Sequence, residues 1–248
     1  MTRHKTMREA GKTALVCLVV LAISGCSWVE SMQQSELRNR YAKNEYPSNP
    51  VKGMKTVGIY VVDATLAYHP DLLELTSILH TQVQSIEGLE VLPDVVVASA
   101  AAQANLTLPR DGLKLADELK ADGIFVAAVT DYNPYGEPVI ATGLVLFSRK
   151  TARISQMDID KVIQGGKPLA LPESAGTKPV TAVFDVYDAS QKTTRKRIEW
   201  YAAGQTAREV GLGWERYYRT MPNFMRFASY EIVWKLFGEL EKGEKNAK

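Results

Sequence analysis

The sequence has 248 residues, with 30 lysine and arginine residues against 28 aspartate and glutamate residues, for a formal net charge of +2. No basic run and no repeated lysine or arginine stripe accompanies this balance, so the charge pattern of a nucleic-acid-binding protein is missing. We therefore expect no nucleic-acid partner.

The N-terminus has the layout of a secretory signal. Residues Met1 to Lys12 are basic, and an uninterrupted apolar run of ten residues follows from Ala14 to Ile23. A helix needs about 20 apolar residues to cross a bilayer, so this run is too short for a transmembrane span. A basic start, a short apolar run and small residues, here Ser24 and Gly25, are typical of a signal peptide that is removed.

The tetrad "ISGC", which ends at Cys26, resembles the lipobox of bacterial lipoproteins. The resemblance implies that residues 1–25 are removed and that the Cys26 thiol carries a diacylglycerol, into which palmitate is incorporated, and that this lipid anchors the chain in a membrane. Ser27 stands where an inner-membrane retention signal often has aspartate, which favours the outer membrane, facing the periplasm. The alternative is a conventional signal peptide followed by a chance cysteine.

Removal of residues 1–25 changes the composition of the chain. Four basic residues and one acid leave with the signal peptide, so 26 basic side chains remain against 27 acidic ones, a net charge of −1. Cys17 is lost and Cys26 is acylated. No free thiol then remains for a disulfide, a thiol nucleophile or a cysteine zinc site.

The remaining chain predicts a tether followed by one domain. Residues 26–53 are polar, include Pro47 and Pro50 and lack an apolar period, so we expect the lipidated cysteine and a disordered tether. Residues 54–241 predict a single α/β domain, with α+β as the alternative, that carries a Gly- and Pro-rich insert near residues 150–180. Residues 242–248 are a polar tail.

The first half of the domain predicts a strand, a helix and a second strand. Residues Lys55 to Asp63 are dense in Val, Ile and Tyr, as in a buried strand. The next segment predicts an amphipathic helix, because apolar residues recur at spacings of three and four, at Leu72, Leu75, Leu79, Val83 and Ile86. The short strand "LEVL" follows. The stretch from Asp94 to Gly112 stays open, since its valines favour a strand and its alanines a helix.

The second half predicts further alternation. A helix follows Asp111, the turn "ADG" comes next, and strands are expected from Ile124 to Val129 and in "PVIATGLVLFS". We interpret "VTAVFDVYD" and "KRIEWYAAG" as a hairpin, and expect a helical region that breaks or starts at Pro222.

These elements resemble a known domain. The opening strand, the helix "LADEL", the turn "ADG" and the strand that ends in "VTDYNPYGEP" look like the α/β domain of bacterial envelope lipoproteins. That group includes the curli secretion lipoprotein, the lipoprotein activator of penicillin-binding proteins and the N-terminal domain of the Tol-system propeller protein. The resemblance implies a mixed, twisted sheet packed by helices, an aromatic-rich C-terminal helix, and a role in assembly or regulation without catalysis.

Signatures of an enzyme are weak. His69 and His80 lie eleven residues apart, whereas a metal pair on a helix is usually spaced i, i+4. Ser174 lacks a G-x-S-x-G elbow, and Asp158 to Asp160 does not continue into a calcium loop. We expect no enzyme activity, no metal and no cofactor. The alternative is an envelope enzyme or small-ligand binder whose site is not visible from sequence spacing.

The stretch "DYNPYGEP" has two interpretations. In the first it is a rigid turn, in which Pro134 fixes φ and Asp131 caps the backbone. In the second it is a partner surface, because Tyr132 and Tyr135 offer large contact areas on a stiff loop. A carboxylate pair of Asp131 and Glu137 is a third, weaker interpretation.

The C-terminal helix, predicted over 223–241, has an unusually wide apolar arc. One stripe is aromatic (Phe227, Tyr230, Trp234 and Phe237), a second is aliphatic (Met225, Ala228, Ile232, Leu236 and Leu240), and a polar strip (Glu231, Lys235 and Glu239) separates them. Either the arc is buried in the domain, between the sheet and the insert, or the aromatic stripe docks a partner through Trp234. The sequence thus predicts a lipid-anchored periplasmic binding or scaffold protein in envelope assembly or secretion, with envelope proteins or a second copy of itself as partners.

Overall fold

The computed structural model describes residues 34–43, 45–106, 111–149, 179–205 and 213–246. Cys26 and the predicted signal peptide lie outside the described residues. So do residues 150–178, which hold most of the predicted insert together with Ser174 and the stretch Asp158 to Asp160.

A mixed five-stranded sheet confirms the predicted α/β class. Its strands are β1 (Thr56–Asp63), β2 (Glu90–Val91), β3 (Gly123–Asn133), β4 (Val139–Ser148) and β5 (Thr181–Asp188). The order across the sheet is β2-β1-β3-β4-β5. β1 pairs in parallel with β2 and β3, whereas β4 is antiparallel to both of its neighbours.

Helices cover both faces of the sheet. In chain order they are α1 (34–42), α2 (Leu72–Gln84), α3 (Asp94–Gln103), α4 (Gly112–Glu118), α5 (Lys192–Gly204), α6 (Arg216–Arg219) and α7 (Met221–Asn246), with a 3₁₀ turn over Gly213–Glu215. α2, α5 and α7 belong to the larger hydrophobic core on one face of the sheet, and α3 and α4 to the smaller core on the other.

β3 is the central strand, and its sequence shows why. Residues 123–129 are all buried. Phe125 and Ala127 belong to the larger core, whereas Ile124 and Val126 belong to the smaller one. A strand that is covered on both faces needs a continuous apolar run in place of an alternating pattern.

α2 forms as its apolar period predicts. Leu75, Leu79 and Val83 are buried. Asp71 is the N-cap, and its carboxylate accepts hydrogen bonds from the backbone N–H groups of Leu73 and Glu74. This satisfies two backbone donors that the first turn of a helix otherwise leaves unpaired.

The structure settles the interpretation of one segment and corrects the prediction for another. The open stretch is helical as α3, where Val97 and Ala101, four residues apart, are buried against the sheet. The segment "KRIEWYAAG" is part of helix α5, so the predicted hairpin is wrong. The buried residues Ile198, Tyr201 and Ala202 recur at the helical spacing of three and four. The aromatic residues of this segment, which are common in strands, conceal that spacing.

The segment expected to be a disordered tether is folded from residue 34 to residue 42. Tyr41, Val51 and Met54 are buried in the larger core. The amphipathic signal of α1 is weak because the helix is short and one of its buried side chains is the polar-tipped Tyr41. At the other end of the chain, α7 continues to Asn246, into the predicted polar tail.

Both predicted apolar stripes of α7 are buried, apart from the partly exposed Trp234. Tyr41 of α1 and Tyr201 of α5 lie in the same core and help to cover these stripes. The predicted polar strip is wrong at Glu231, whose side chain is only 2% exposed. A buried carboxylate persists only where cationic or hydrogen-bonding partners compensate for lost hydration.

Candidate interaction surface

Two connections meet at one end of the sheet, where the parallel strands β1 and β3 finish side by side. The chain leaves β1 at Asp63 and reaches α2 through residues 64–71, and it leaves β3 at Asn133 to turn into β4. Loops at the carboxyl ends of parallel strands commonly carry function because a rigid sheet positions them. This end of the sheet holds the candidate site.

Large apolar side chains are exposed on these two connections and on the first turn of α2. Leu66 is 85% exposed, Leu73 81%, Tyr135 66% and Tyr68 45%. The rings of Tyr68 and Tyr135 contact each other edge to face, with centroids 5.1 Å apart and planes at 68°. We call these four residues the tyrosine surface. A group of exposed apolar side chains is typical of a docking site.

A hydrogen-bond network fixes the connection between β1 and α2. The Thr65 backbone N–H and hydroxyl donate to Asp63 Oδ1, at 2.9 and 2.6 Å, and His69 Nδ1 lies 2.6 Å from Asp63 Oδ2. Burial by itself raises the pKa of Asp63, but the hydrogen bonds from Thr65 and the contact with His69 outweigh it, so the pKa lies below its usual value. His69 thus orders a loop in this structure.

The turn between β3 and β4 is equally well fixed. The Tyr135 backbone N–H donates to Asn133 Oδ1 at 3.0 Å, and Gly136 has a φ of 67°, which only glycine adopts without strain. Glu137 forms an ion pair with Arg195 at the start of α5. The rigid turn predicted around Pro134 is therefore held at several points.

The structure assigns the capping role in this turn differently. Asp131 lies within β3, opposite Ala141 and next to a register shift, and Asn133 provides the side-chain cap. An aspartate two residues earlier cannot reach the turn because the strand runs on to Asn133. Glu137 forms an ion pair with Arg195, and the carboxylate pair of Asp131 and Glu137 stays a prediction.

Tyr132 lies near the end of β3, just before the turn that carries Tyr135. It is partly buried against the larger core. Burial raises the pKa of its phenol, and the charges of Glu74 and Asp71 raise the pKa further. Those two acids therefore lie close enough to act on the phenol of Tyr132.

The structure does not bring Trp234 to this surface. Trp234 lies on α7 three residues before Phe237, which stacks on Phe125 near the start of β3, at the other end of the sheet. Its indole N–H donates to the Glu45 carbonyl at 2.9 Å, and the guanidinium of Arg40 lies 4.9 Å from its ring. Trp234 therefore contacts the segment that follows α1, and its predicted partner role stays a prediction.

The contacts of Glu231 explain how α1 is held. Arg40 and Arg197 both form ion pairs with its carboxylate, and the Tyr41 hydroxyl donates to Glu231 Oε1 at 2.5 Å. Gly204, at the end of α5, packs so closely on α1 that an added Cβ would overlap the Tyr41 carbonyl oxygen. Helix α1 is thus part of the fold.

Sequence reasoning identified Tyr135 and Tyr132 but missed Tyr68, Leu66 and Leu73. A signal was present for Leu73, because it lies outside the apolar stripe of α2 that Leu72, Leu75 and Leu79 define. The contact of Tyr68 with Tyr135 depends on the parallel pairing of β1 with β3, which no local pattern encodes.

A second histidine–aspartate contact lies outside the tyrosine surface. His80 Nδ1 lies 2.6 Å from Asp94 Oδ1, in a contact between the helices α2 and α3. Among the described residues, no group of three or more His, Cys, Asp or Glu side chains is arranged to hold a metal ion. Within the same ranges, no helix is long and apolar enough to cross a membrane.

The solved structures to which this chain is similar include a lipoprotein. The lipoprotein GNA1162 from Neisseria meningitidis is 12% identical, with a TM-score of 0.34, over 58% of this chain and 90% of that one. The PelC dodecamer from Paraburkholderia phytofirmans is 12% identical, with a TM-score of 0.36, over 77% and 94%. The LpoB C-terminal domain from Salmonella enterica is 10% identical, with a TM-score of 0.37, over 56% and 86%.

No family model and no curated protein matches the chain. The TM-scores of the solved structures lie below 0.5, so the function has to be argued from the geometry and the sequence of this chain.

Proposed function

We propose that this chain is a lipid-anchored protein of the bacterial cell envelope, facing the periplasm, which binds another envelope protein and catalyses no reaction. The observation that carries the proposal is the tyrosine surface, Leu66, Tyr68, Leu73 and Tyr135. The "ISGC" lipobox supports the envelope location, and Ser27 favours the outer membrane.

The partner is a protein segment with apolar and basic side chains. Exposed Leu and Tyr side chains gain contact area and lose hydration when an apolar partner covers them. Asp71 and Glu74, whose charges act on Tyr132, add negative charge that attracts lysine or arginine. A protein with a basic docking segment fits both features.

The tyrosine surface is suited to binding because ordering it costs little. The Asp63 network fixes one connection, and the bonds of Asn133 and Glu137 fix the other. Tyrosine itself has few rotatable bonds. A partner that docks on these side chains therefore immobilises little that was free before.

Crosslinking in intact cells, followed by mass spectrometry, tests the proposal. We expect a captured envelope protein that disappears when Tyr68→Ser and Tyr135→Ser are combined. Val95→Ser is the matched control, because Val95 is also exposed (74%) but lies on α3, which packs on the opposite face of the sheet. Capture should survive in this control.

Charge-reversal variants test the contribution of the acidic side chains. Glu74→Lys reverses a charge that acts on Tyr132 and should weaken capture, whereas Glu118→Lys, on the exposed side of α4, should leave it unchanged. An unchanged crosslinking profile in the double tyrosine variant, at normal protein levels, would contradict the proposed surface.

A further inference from the structure

The docking of α1 shortens the connection between lipid and domain. If residues 26–53 were a free chain, the domain could move far from the membrane. Instead, ordered contacts begin at residue 34: Lys196 Nζ donates to Gln34 Oε1 at 3.4 Å, and Arg40 and Tyr41 bind the buried Glu231. Only seven residues lie between Cys26 and Gln34.

Covalent geometry limits how far that connection can reach. A fully extended chain spans at most 3.3–3.6 Å per residue, so the lipid-bearing residue lies within about 30 Å of Gln34 whatever the conformation between them. The length of β3 sets the scale for comparison. Its 11 residues extend over roughly 35 Å. The reach of this connection is therefore shorter than the distance between the two ends of the sheet.

The entry point of the chain lies at the end of the sheet that carries the tyrosine surface. Lys196, which contacts Gln34, is next to Arg195, and Arg195 pairs with Glu137 in the same turn as Tyr135. The Ala189 backbone N–H, just before α5, donates to the Pro138 carbonyl in that turn at 2.9 Å. Further along, Tyr41 lies against Gly204 at the far end of α5, so α1 runs away from this end of the sheet.

We infer that docked α1 holds the tyrosine-surface end of the domain beside the bilayer, so that the partner of this surface binds at the membrane. This inference rests on the proposed lipid on Cys26. It assigns to the contact of Glu231 with Arg40, Tyr41 and Arg197 the role of a clasp that sets the orientation of the domain. The partner segment then belongs to a protein that reaches within a few tens of ångströms of the same leaflet.

Energy transfer from a labelled side chain to acceptor lipids tests the orientation. Lys192→Cys places a donor fluorophore at the start of α5, beside the tyrosine surface, and Glu87→Cys places one at the opposite end of the sheet, after α2; both residues are exposed. The lipidated mature chain has no other free thiol, so each label is unique. The full chain is inserted in phosphatidylethanolamine–phosphatidylglycerol vesicles that contain an acceptor headgroup.

We expect transfer from Lys192→Cys to exceed transfer from Glu87→Cys several-fold. A Gly-Ser linker of about 20 residues, inserted after Ser31, should lower transfer from the Lys192 position and remove the difference, because a flexible linker lets the domain tumble away from the lipid. Gly204→Ala, which forces α1 away from α5, should have the same effect without lengthening the chain.

Flotation of the vesicles and palmitate labelling are measured first, with Cys26→Ala as the control. A chain that carries no lipid overturns both the proposed function and the inference. A lipidated chain with equal transfer from the two labels, or with higher transfer from Glu87→Cys, overturns the inference and leaves the proposed anchor and docking surface in place.

Discussion

Tyr68 and Tyr135 contact each other edge to face at 5.1 Å, although one belongs to the connection after β1 and the other to the turn after β3. The pair lies outside the two hydrophobic cores, and both rings remain largely accessible. An aromatic pair of this geometry joins the two connections without being needed to fill the interior.

Tyr135→Ala should therefore change stability little, by less than about 1 kcal/mol, because the ring is exposed in the folded chain. A double-mutant cycle with Tyr68→Ala should give a coupling energy of about 0.5 kcal/mol, the low end of the range for aromatic pairs, since water reaches both rings. Urea denaturation of the four proteins measures both values. A loss above about 2 kcal/mol would mean that the turn belongs to the core.

The Asp63 network predicts a pH dependence. The pKa of Asp63 is lowered, so folding favours its ionised form, and its contribution to stability is present above the unfolded pKa of about 3.9 and is lost as pH falls through the folded pKa. Thr65→Val removes the hydroxyl donor and should raise the pKa of Asp63, as measured by carboxyl NMR titration. In the control Thr81→Val, whose hydroxyl donates within α2, the titration of Asp63 should not move.

The sequence predicts most of the sheet because the signals there are local. The dense apolar runs of β1 and β3 and the period of α2 each follow from a few neighbouring residues. α5 was misassigned because Trp200 and Tyr201, which are common in strands, conceal a helical spacing. Residues 34–42 were expected to be disordered because their partners, Glu231 and Gly204, lie about 160 to 200 residues further along the chain.

The sequence predicts only the part of the candidate site that lies within one short turn. Tyr132 and Tyr135 stand out within one short turn, whereas Tyr68 becomes part of the surface only because β1 and β3 are parallel neighbours. Glu231 was assigned to a polar strip because a helical wheel carries no information about which elements cover each face. Only the tertiary contacts with Arg40 and Arg197 show that its carboxylate is buried.

Glu231→Gln should destabilise the fold by about 3 kcal/mol, because it removes the anionic partner of two arginines while the remaining partners stay in place. We expect the low end of the range for buried pairs, since the Arg40 and Arg197 side chains keep 17% and 32% of their exposure. Chemical denaturation measures the loss. Glu239→Gln, on the same helix and paired with the exposed Lys242, is the control and should change stability by less than about 0.5 kcal/mol.

Cys26→Ala should abolish incorporation of labelled palmitate and leave a precursor of higher mass, because the lipid acceptor of the lipobox is then missing. Labelling in cells followed by gel electrophoresis measures both effects. Normal labelling of the variant would contradict the proposed anchor. Recovery of the mature wild-type protein in inner-membrane fractions would contradict only the outer-membrane location that Ser27 favours.

Two glycine substitutions should have opposite effects on stability. Gly204→Ala places a Cβ on the Tyr41 carbonyl oxygen, a backbone atom that cannot move unless α1 shifts, so we expect a loss of about 1–3 kcal/mol. Gly238→Ala adds a Cβ that meets nothing within 4 Å in the interior of α7. There alanine should stabilise the helix by about 0.5–1 kcal/mol.

Hydrogen exchange separates this local effect from general destabilisation. In Gly204→Ala the backbone amides of residues 34–42 should exchange faster, while those of the central strand β3 keep most of their protection, because only α1 loses its docking site. Gly238→Ala should leave the exchange of α1 unchanged. If Gly204→Ala accelerates exchange evenly over β3 and α1, helix α1 unfolds only together with the sheet and cannot act as a separate clasp.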